Sequence, residues 1–221
     1  TQALDKEKQF NVHHPQKTWF VAETDADSPA LIGNICPRLQ PLHELLNSPT
    51  IDDSTRLHYL KHLFDHYFRL ASQQKIRLDE GLSNFGVSSD QQLYYLDDDT
   101  YSWDRFISCA QILGVYFRSL PWLSAEFAAL FGQIVHQLIL EHFQDPQYFR
   151  VLAEQLKDVY LPAPTQRQAI DNFINNLNTK PELQPSVGFS HARYLAILAD
   201  IHANLPALQV VLNYLKSQNI Q

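Results

Sequence analysis

The chain has 221 residues, a formal net charge of −7 at pH 7, 45% hydrophobic residues and 12% aromatic residues. This composition excludes a disordered chain. The scattered basic residues argue against a nucleic-acid surface, and no apolar run approaches the ~20 residues of a membrane helix. The two cysteines, Cys36 and Cys109, form no disulfide framework, so a reducing cytoplasm fits best.

The two ends of the sequence are polar. Residues 1–18 carry acids and histidines and are expected to form a flexible lead-in rather than a secretory signal. The sequence contains no methionine, and it ends directly after a strong helical pattern. We therefore expect a truncated chain.

The region from residue 19 to residue 99 predicts strands around one long helix. Residues 19–46 contain two short apolar runs, then a proline-marked crossover and a short helix. Residues 52–73 carry apolar side chains at helical spacing, with Asp53 or Ser54 as the candidate N-cap. The apolar runs FGV and LYYL flank the polar SSDQQ, which predicts a β-hairpin.

Helical periodicity dominates the rest of the chain up to residue 177. Helices are predicted over residues 103–117 and 127–138, over residues 147–160, and after Thr165 as a cap. Residues 178–193 are polar and proline-rich, so they predict a linker. The sequence thus predicts an α+β, mostly helical domain over residues 19–177, followed by a single βα unit over residues 194–221.

The βα unit carries a candidate metal site. In YLAILADIHANLPALQVVLNYL, a buried-strand pattern runs into Asp200 and His202, and an amphipathic helix follows with Asn204 as its cap. Residues at i and i+2 beyond a strand end can turn toward one point outside the sheet edge. A carboxylate and an imidazole suit a divalent transition metal, and a pair of such ions can activate water and hold phosphoryl oxygens.

The same string resembles the opening of calcineurin-like metallophosphoesterases, in which a hydrophobic strand runs into D-I-H-G/A-N-L-x-A-L. The resemblance implies that Asp200 and His202 ligate the first metal, of Mn, Fe or Zn type, and that the substrate is phosphorylated. The later motifs of the family do not follow within these 28 residues, so we expect an incomplete site. The alternative is an ordinary strand–turn–helix with Asp200 in the turn.

A second pattern lies in the middle of the chain. Asp79 and Asn84 are five residues apart, and Asp97 follows the predicted hairpin. This arrangement resembles the D-x-x-x-x-N catalytic loop, hairpin and metal-binding Asp of the protein-kinase-like superfamily, over about residues 30–160. The resemblance implies a C-lobe-type helical subdomain. Asp79 would accept the proton of a substrate hydroxyl, and Asn84 and Asp97 would hold a Mg-nucleotide.

The kinase pattern has departures. Arg77 and Leu78 replace the usual His-Arg, Asp98 and Asp99 replace Phe-Gly, and neither a Gly-rich phosphate loop nor a strand lysine is evident. The predicted function is a metallophosphoesterase with a kinase-like regulatory module, inactive as this chain. The alternatives are a pseudokinase-like nucleotide- or protein-binding module, an interaction domain of aromatic-rich helices, or a helical domain with solvated acids. The sequence does not exclude an oligomer.

One histidine pattern stands apart from both resemblances. His58, His62 and His66 follow one another at four-residue spacing on the predicted long helix. Adjacent pairs could chelate a metal, but no HExxH-type base accompanies them. They are interpreted as a solvated stripe beside the core face.

Overall fold

The computed structural model of the protein describes residues 8–22 and 30–178. The chain divides into two compact units, Thr1–Lys180 and Pro181–Gln221. The division lies close to the predicted linker at residues 178–193. The predicted phosphoesterase start at residues 194–221, with Asp200 and His202, lies outside the described residues.

The described residues form short strands and longer helices. The strands are β1 (Thr18–Ala22), β2 (Leu31–Ile35), β3 (Gln40–Pro41), β4 (Ile76–Arg77), β5 (Phe85–Val87), β6 (Leu93–Tyr95) and β7 (Tyr101–Ser102). The helices are α1 (Leu42–Leu46), α2 (Asp53–Gln74), α3 (Ile107–Ser119), α4 (Ala125–Phe143), α5 (Gln147–Lys157) and α6 (Pro164–Asn178). The prediction of a mostly helical α+β fold is confirmed.

The strands pair in three small antiparallel sheets. β1 pairs with β2, β4 pairs with β7, and β5 lies between β3 and β6. The predicted hairpin around SSDQQ is β5–β6, with Val87 opposite Leu93. The β1–β2 pair exposes several apolar side chains, among them Val21 and Ile32, which are 62% and 71% exposed.

The N-cap of helix α2 lies one residue before Asp53, the first of its two predicted caps. The carboxylate of Asp52 accepts a hydrogen bond from the Thr55 N–H at 2.8 Å, so Asp52 is the N-cap instead of Asp53 or Ser54. The helix ends at Lys75, which adopts a left-handed conformation with φ of 58°. Its buried face is rich in aromatic residues, each of which stabilises the fold by about 1.5–3 kcal/mol through burial. The fully buried aromatics of this face are Phe64, Tyr67 and Phe68.

The later helices keep their predicted order, but several boundaries differ, and helix α4 extends beyond its predicted residues 127–138 at both ends. Helix α3 starts at Ile107, because Arg105 and Phe106 have positive φ angles of 56° and 74° that cannot continue a helix. Helix α5 ends at Lys157, short of the predicted residue 160. Helix α6 begins at Pro164, whose fixed φ suits a first turn, so the predicted cap Thr165 lies inside the helix.

The described part of the predicted lead-in, residues 8–17, packs on the domain. Phe10 and Val12 are only 5% and 1% exposed. The Tyr95 N–H donates to the Val12 carbonyl at 2.7 Å, and Arg69 donates to the Phe10 carbonyl at 2.8 Å. Burial of two apolar side chains in a polar segment, with backbone hydrogen bonds to the hairpin, makes this stretch part of the folded unit.

Helix α4 is the centre of the helical layer. It packs most extensively against α6 and also against α2. The close approach of α4 and α6 depends on Gly132, because an added Cβ would overlap the carbonyl oxygen of Phe173 and lie 3.2 Å from Asn176 Cβ. Among residues 8–22 and 30–178, none of the helices combines the length and apolar composition that crossing a bilayer requires.

We expect Gly132→Ala to destabilise the protein by about 1–3 kcal/mol, because the methyl group forces α4 and α6 apart. This sign is opposite to the helix-propensity gain of about 1 kcal/mol that the same change gives on an exposed helix. The change in the free energy of unfolding is measured by urea denaturation monitored by circular dichroism. Leu130→Ala, at a position of α4 that is 48% exposed, is the control and should cost less. A stabilised Gly132→Ala variant would contradict the close packing.

Candidate functional site

The chain brings its two acidic loops together through β4 and β7. Asp79 follows β4, and residues 97–99 precede β7; the two strands pair with Arg77 opposite Tyr101. The Tyr95 hydroxyl accepts a hydrogen bond from the Asp79 N–H at 3.1 Å and donates to the Asp99 carbonyl at 3.0 Å. One phenol therefore ties the loop after β4 to the loop after β6.

Asp79 and Asn84 border the same small space. Asp79 Oδ1 accepts a hydrogen bond from the Gly81 N–H at 3.0 Å. An added Cβ at Gly81 would lie 3.2 Å from Asp79 Oδ1 and 3.3 Å from Asn84 Nδ2. The absence of a side chain at Gly81 thus lets both Asp79 and Asn84 pack against it, and a larger residue there would press on both.

Asp97 is held by its own turn beside this space. Its Oδ1 accepts hydrogen bonds from the Asp98 N–H at 2.7 Å and the Asp99 N–H at 3.4 Å. Burial raises the pKa of the Tyr95 phenol, and the negative charges of Asp97 and Asp79 raise it further. Both carboxylates therefore act on one hydroxyl. Asp79 and Asp97 thus lie near one phenol, and Asn84 lies with Asp79 beside Gly81. We call Asp79, Asn84 and Asp97 the acidic mouth.

A lysine joins the acidic mouth from the start of the chain. The Lys17 ammonium forms an ion pair with the Asp98 carboxylate, although Lys17 is only 9% exposed. Asn34 Nδ2 in β2 donates to the other oxygen of Asp98 at 2.8 Å. Sequence reasoning missed Lys17, because a lysine in a polar segment 81 residues before its partner carries no local signal.

A buried polar layer lies directly beneath the acidic mouth. Glu80 is 2% exposed, and burial raises the pKa of its carboxyl to about 8. The Tyr116 hydroxyl donates to the Glu80 carbonyl, and Arg77 Nε lies 3.4 Å from Asp104 Oδ2. Two buried carboxylate oxygens of this layer, Glu80 Oε1 and Asp104 Oδ1, have no hydrogen-bond partner among the described residues.

Such a layer costs folding free energy, because buried polar groups are normally paired. Strongly perturbed carboxyl groups beside a cleft are typical of functional sites, and Glu80 is adjacent to Asp79 in sequence. No local pattern predicts the burial of Glu80, since a single glutamate between Asp79 and Gly81 looks like any solvated acid. The burial comes from α2 and α3, which cover the loop.

Another group of metal-ligating side chains lies elsewhere, between α2 and α4. Ligand atoms of Asp65, Glu141 and His142 all lie within 4.8 Å of one another. His142 Nε2 and Asp65 Oδ1 are 2.8 Å apart and form a hydrogen bond, and Glu141 is exposed. A hydrogen bond between two helices with a neighbouring surface acid accounts for this group.

Comparisons of the chain with protein-family models, with curated proteins and with solved structures found no match. The chemistry of the site therefore has to be read from its geometry. Two carboxylates and an amide in neighbouring loops offer oxygen ligands of the kind that hard cations prefer.

We expect the stability of the protein to fall by about 2–4 kcal/mol as pH rises from 5 to 8, on account of Glu80 alone. Above pH 4.5 the unfolded chain ionises this carboxyl, whereas the folded protein keeps it neutral up to a pKa of about 8. The unfolded state is therefore favoured as pH rises through that window. The groups that act on Glu80 are Arg77, Asp79 and Asp104.

The measurement is urea unfolding of the native protein and the Glu80→Gln variant at several pH values. The difference in unfolding free energy between the native protein and the variant should change between pH 5 and 8, so that the variant is the more favoured at pH 8. Glu44→Gln, on the exposed side of α1, controls for loss of a surface charge. A difference that is constant from pH 5 to 8 would show that Glu80 is ionised in the folded protein.

Proposed function

We propose that residues 19–177 form a kinase-like module that binds a magnesium–nucleotide complex, and that residues 194–221 begin a metallophosphoesterase domain. The observation that carries the first part is the hydrogen-bond bridge through the Tyr95 hydroxyl, which ties the Asp79 loop to the Asp97 loop. The regulatory role of the module toward a phosphoesterase follows from its place before residues 194–221.

Each residue of the acidic mouth has a role in this proposal. Asp97 and Asn84 offer oxygen ligands, which Mg²⁺ prefers, and Mg²⁺ bridges nucleotide phosphates. Asp79 stands beside the same space and can accept a proton from a hydroxyl group. Lys17 holds the carboxylate of Asp98, the residue that follows Asp97, through an ion pair.

The departures from the kinase pattern determine how tightly we expect the module to bind a nucleotide. In active kinases a Gly-rich loop covers the phosphates and a strand lysine pairs with a helix glutamate. In this chain Lys17 is instead neutralised by Asp98, and the Phe-Gly after the metal-binding Asp is replaced by Asp98 and Asp99. With fewer contacts to phosphate, we propose weak nucleotide binding without efficient phosphoryl transfer.

We expect 10 mM Mg-ATP to raise the melting temperature by a few degrees and Asp97→Asn to abolish the rise. A dissociation constant of about 1 mM would give about 1.4 kcal/mol of stabilisation at that concentration. Differential scanning fluorimetry measures the shift, with Mg²⁺ alone and ATP alone as reference conditions. The shift should require both together.

Asp171→Asn is the matched control, because it makes the same carboxylate-to-amide change on the exposed face of α6. It should keep the full shift. A shift that survives in both Asp97→Asn and Asn84→Ala would place the ligand elsewhere. No Mg-dependent shift at all would favour the alternative, an interaction domain without a nucleotide site.

The phosphoesterase part of the proposal is supported by the sequence string around Asp200 and His202. We expect this chain by itself to show no appreciable Mn²⁺-dependent hydrolysis of an aryl phosphate. Two ligands are fewer than the three that a catalytic metal site typically takes from the protein. The assay compares the chain with Asp200→Asn; robust turnover that this substitution abolishes would show a complete site and contradict the expectation.

A further inference from the structure

Three histidines of α2 line a cavity of about 430 Å³ on the side of the domain formed by the β5–β6 turn. They are His58, His62 and His66, which we call the histidine stripe. The other lining residues are Asn11, Gln91, Gln92, Leu93 and Tyr94. The interpretation of a stripe facing open solvent is therefore incomplete, because the imidazoles border a concave site with an amide-rich opposite wall.

Two rings of the histidine stripe are already in contact. The ring centroids of His58 and His62 are 4.5 Å apart in an edge-on arrangement. The opposite wall is held in place by the Tyr59 hydroxyl, which donates to Gln91 Oε1 at 2.6 Å. His66 is the next residue on this face of α2, toward the C-terminal end of the helix, and it is half-buried.

We propose that His58 and His62 chelate a divalent transition-metal ion of borderline softness, such as Zn²⁺, Ni²⁺ or Cu²⁺. Side chains four residues apart are neighbours on a helix surface, and zinc-binding helices use this spacing. Imidazole nitrogens are preferred ligands of these ions. Water and the amide groups of the opposite wall complete the coordination.

The length of helix between the histidines and the contact between their rings together indicate which pair shares the ion. His58 and His66 are eight residues apart, which is about 12 Å along a helix and too far for both to bind one ion. His62 is thus the central ligand, and its ring contacts that of His58. His66 is a neighbour of the site and not a ligand.

The neighbouring His66 is compatible with metal binding beside it. Burial lowers the pKa of His66 to about 4, the charge of Arg69 lowers it further, and the charge of Asp65 opposes this change. His66 therefore places no positive charge beside the ion at neutral pH.

The site differs in chemistry from the acidic mouth. Mg²⁺ takes oxygen ligands, whereas two imidazoles select zinc, nickel or copper. The proposal does not depend on the proposed function, because none of its residues belongs to the acidic mouth. An excess of Mg²⁺ in the experiment keeps the acidic mouth from contributing.

The test is calorimetric titration of the tag-free chain with ZnCl₂ at pH 7.5 in the presence of excess Mg²⁺. The background carries Asp200→Asn and His202→Ala, which removes the metal ligands predicted in the C-terminal unit. We expect His58→Ala and His62→Ala each to weaken zinc binding roughly tenfold or more. Both side chains are exposed, so melting temperatures without zinc should stay close to that of the parent.

Two control variants should leave the zinc affinity unchanged. His66→Ala removes the neighbouring histidine, and His43→Ala removes an exposed histidine on α1. An affinity that neither His58→Ala nor His62→Ala reduces would overturn the proposal, as would an equal loss with His43→Ala. A loss with His142→Ala instead would place the ion at the group formed with Asp65 and Glu141.

Discussion

Burial of the aromatic face of α2 is the constraint on which the rest of the described domain depends. The Phe64 ring lies 5.3 Å from the Phe131 ring of α4, and the Phe68 ring lies 5.8 Å from Phe106 and 6.2 Å from Phe143. These contacts fix α2 against α4 and against the turn that precedes α3. Because aromatic rings in contact add to the free energy of burial, this cluster sets the position of the helix end at Lys75.

The acidic mouth follows from that helix end. The left-handed residue Lys75 turns the chain directly into β4, and Asp79 comes two residues after this strand. Leu78 is fully buried, so the loop is anchored in the core on one side and open on the other. The Tyr95 and Tyr116 hydroxyls then hold the loop backbone at Asp79 and Glu80. The mouth is rigid on its protein side and carries negative charge on its open side.

The fold places the buried polar layer around Glu80, which lowers stability, next to the metal-ligating groups of the acidic mouth. Glu80 is kept uncharged by burial, while Asp79, one residue earlier, is only partly buried. A protein selected for stability alone would replace the buried acid by an apolar residue of similar volume. Its presence beside Asp79 is therefore consistent with a loop shaped for binding. The proposed nucleotide and zinc sites use different residues and different ligand chemistry.

The sequence by itself determined the order of the helices, the β5–β6 hairpin and the spacing of Asp79, Asn84 and Asp97. These features are local: periodicity, turn residues and short spacings act within a few turns of chain. Only the tertiary structure decided that Lys17 pairs with Asp98, that Phe10 and Val12 belong to the core, and that Glu80 is buried. Each depends on segments distant in sequence that meet through packing, and local patterns carry no information about which distant segments meet.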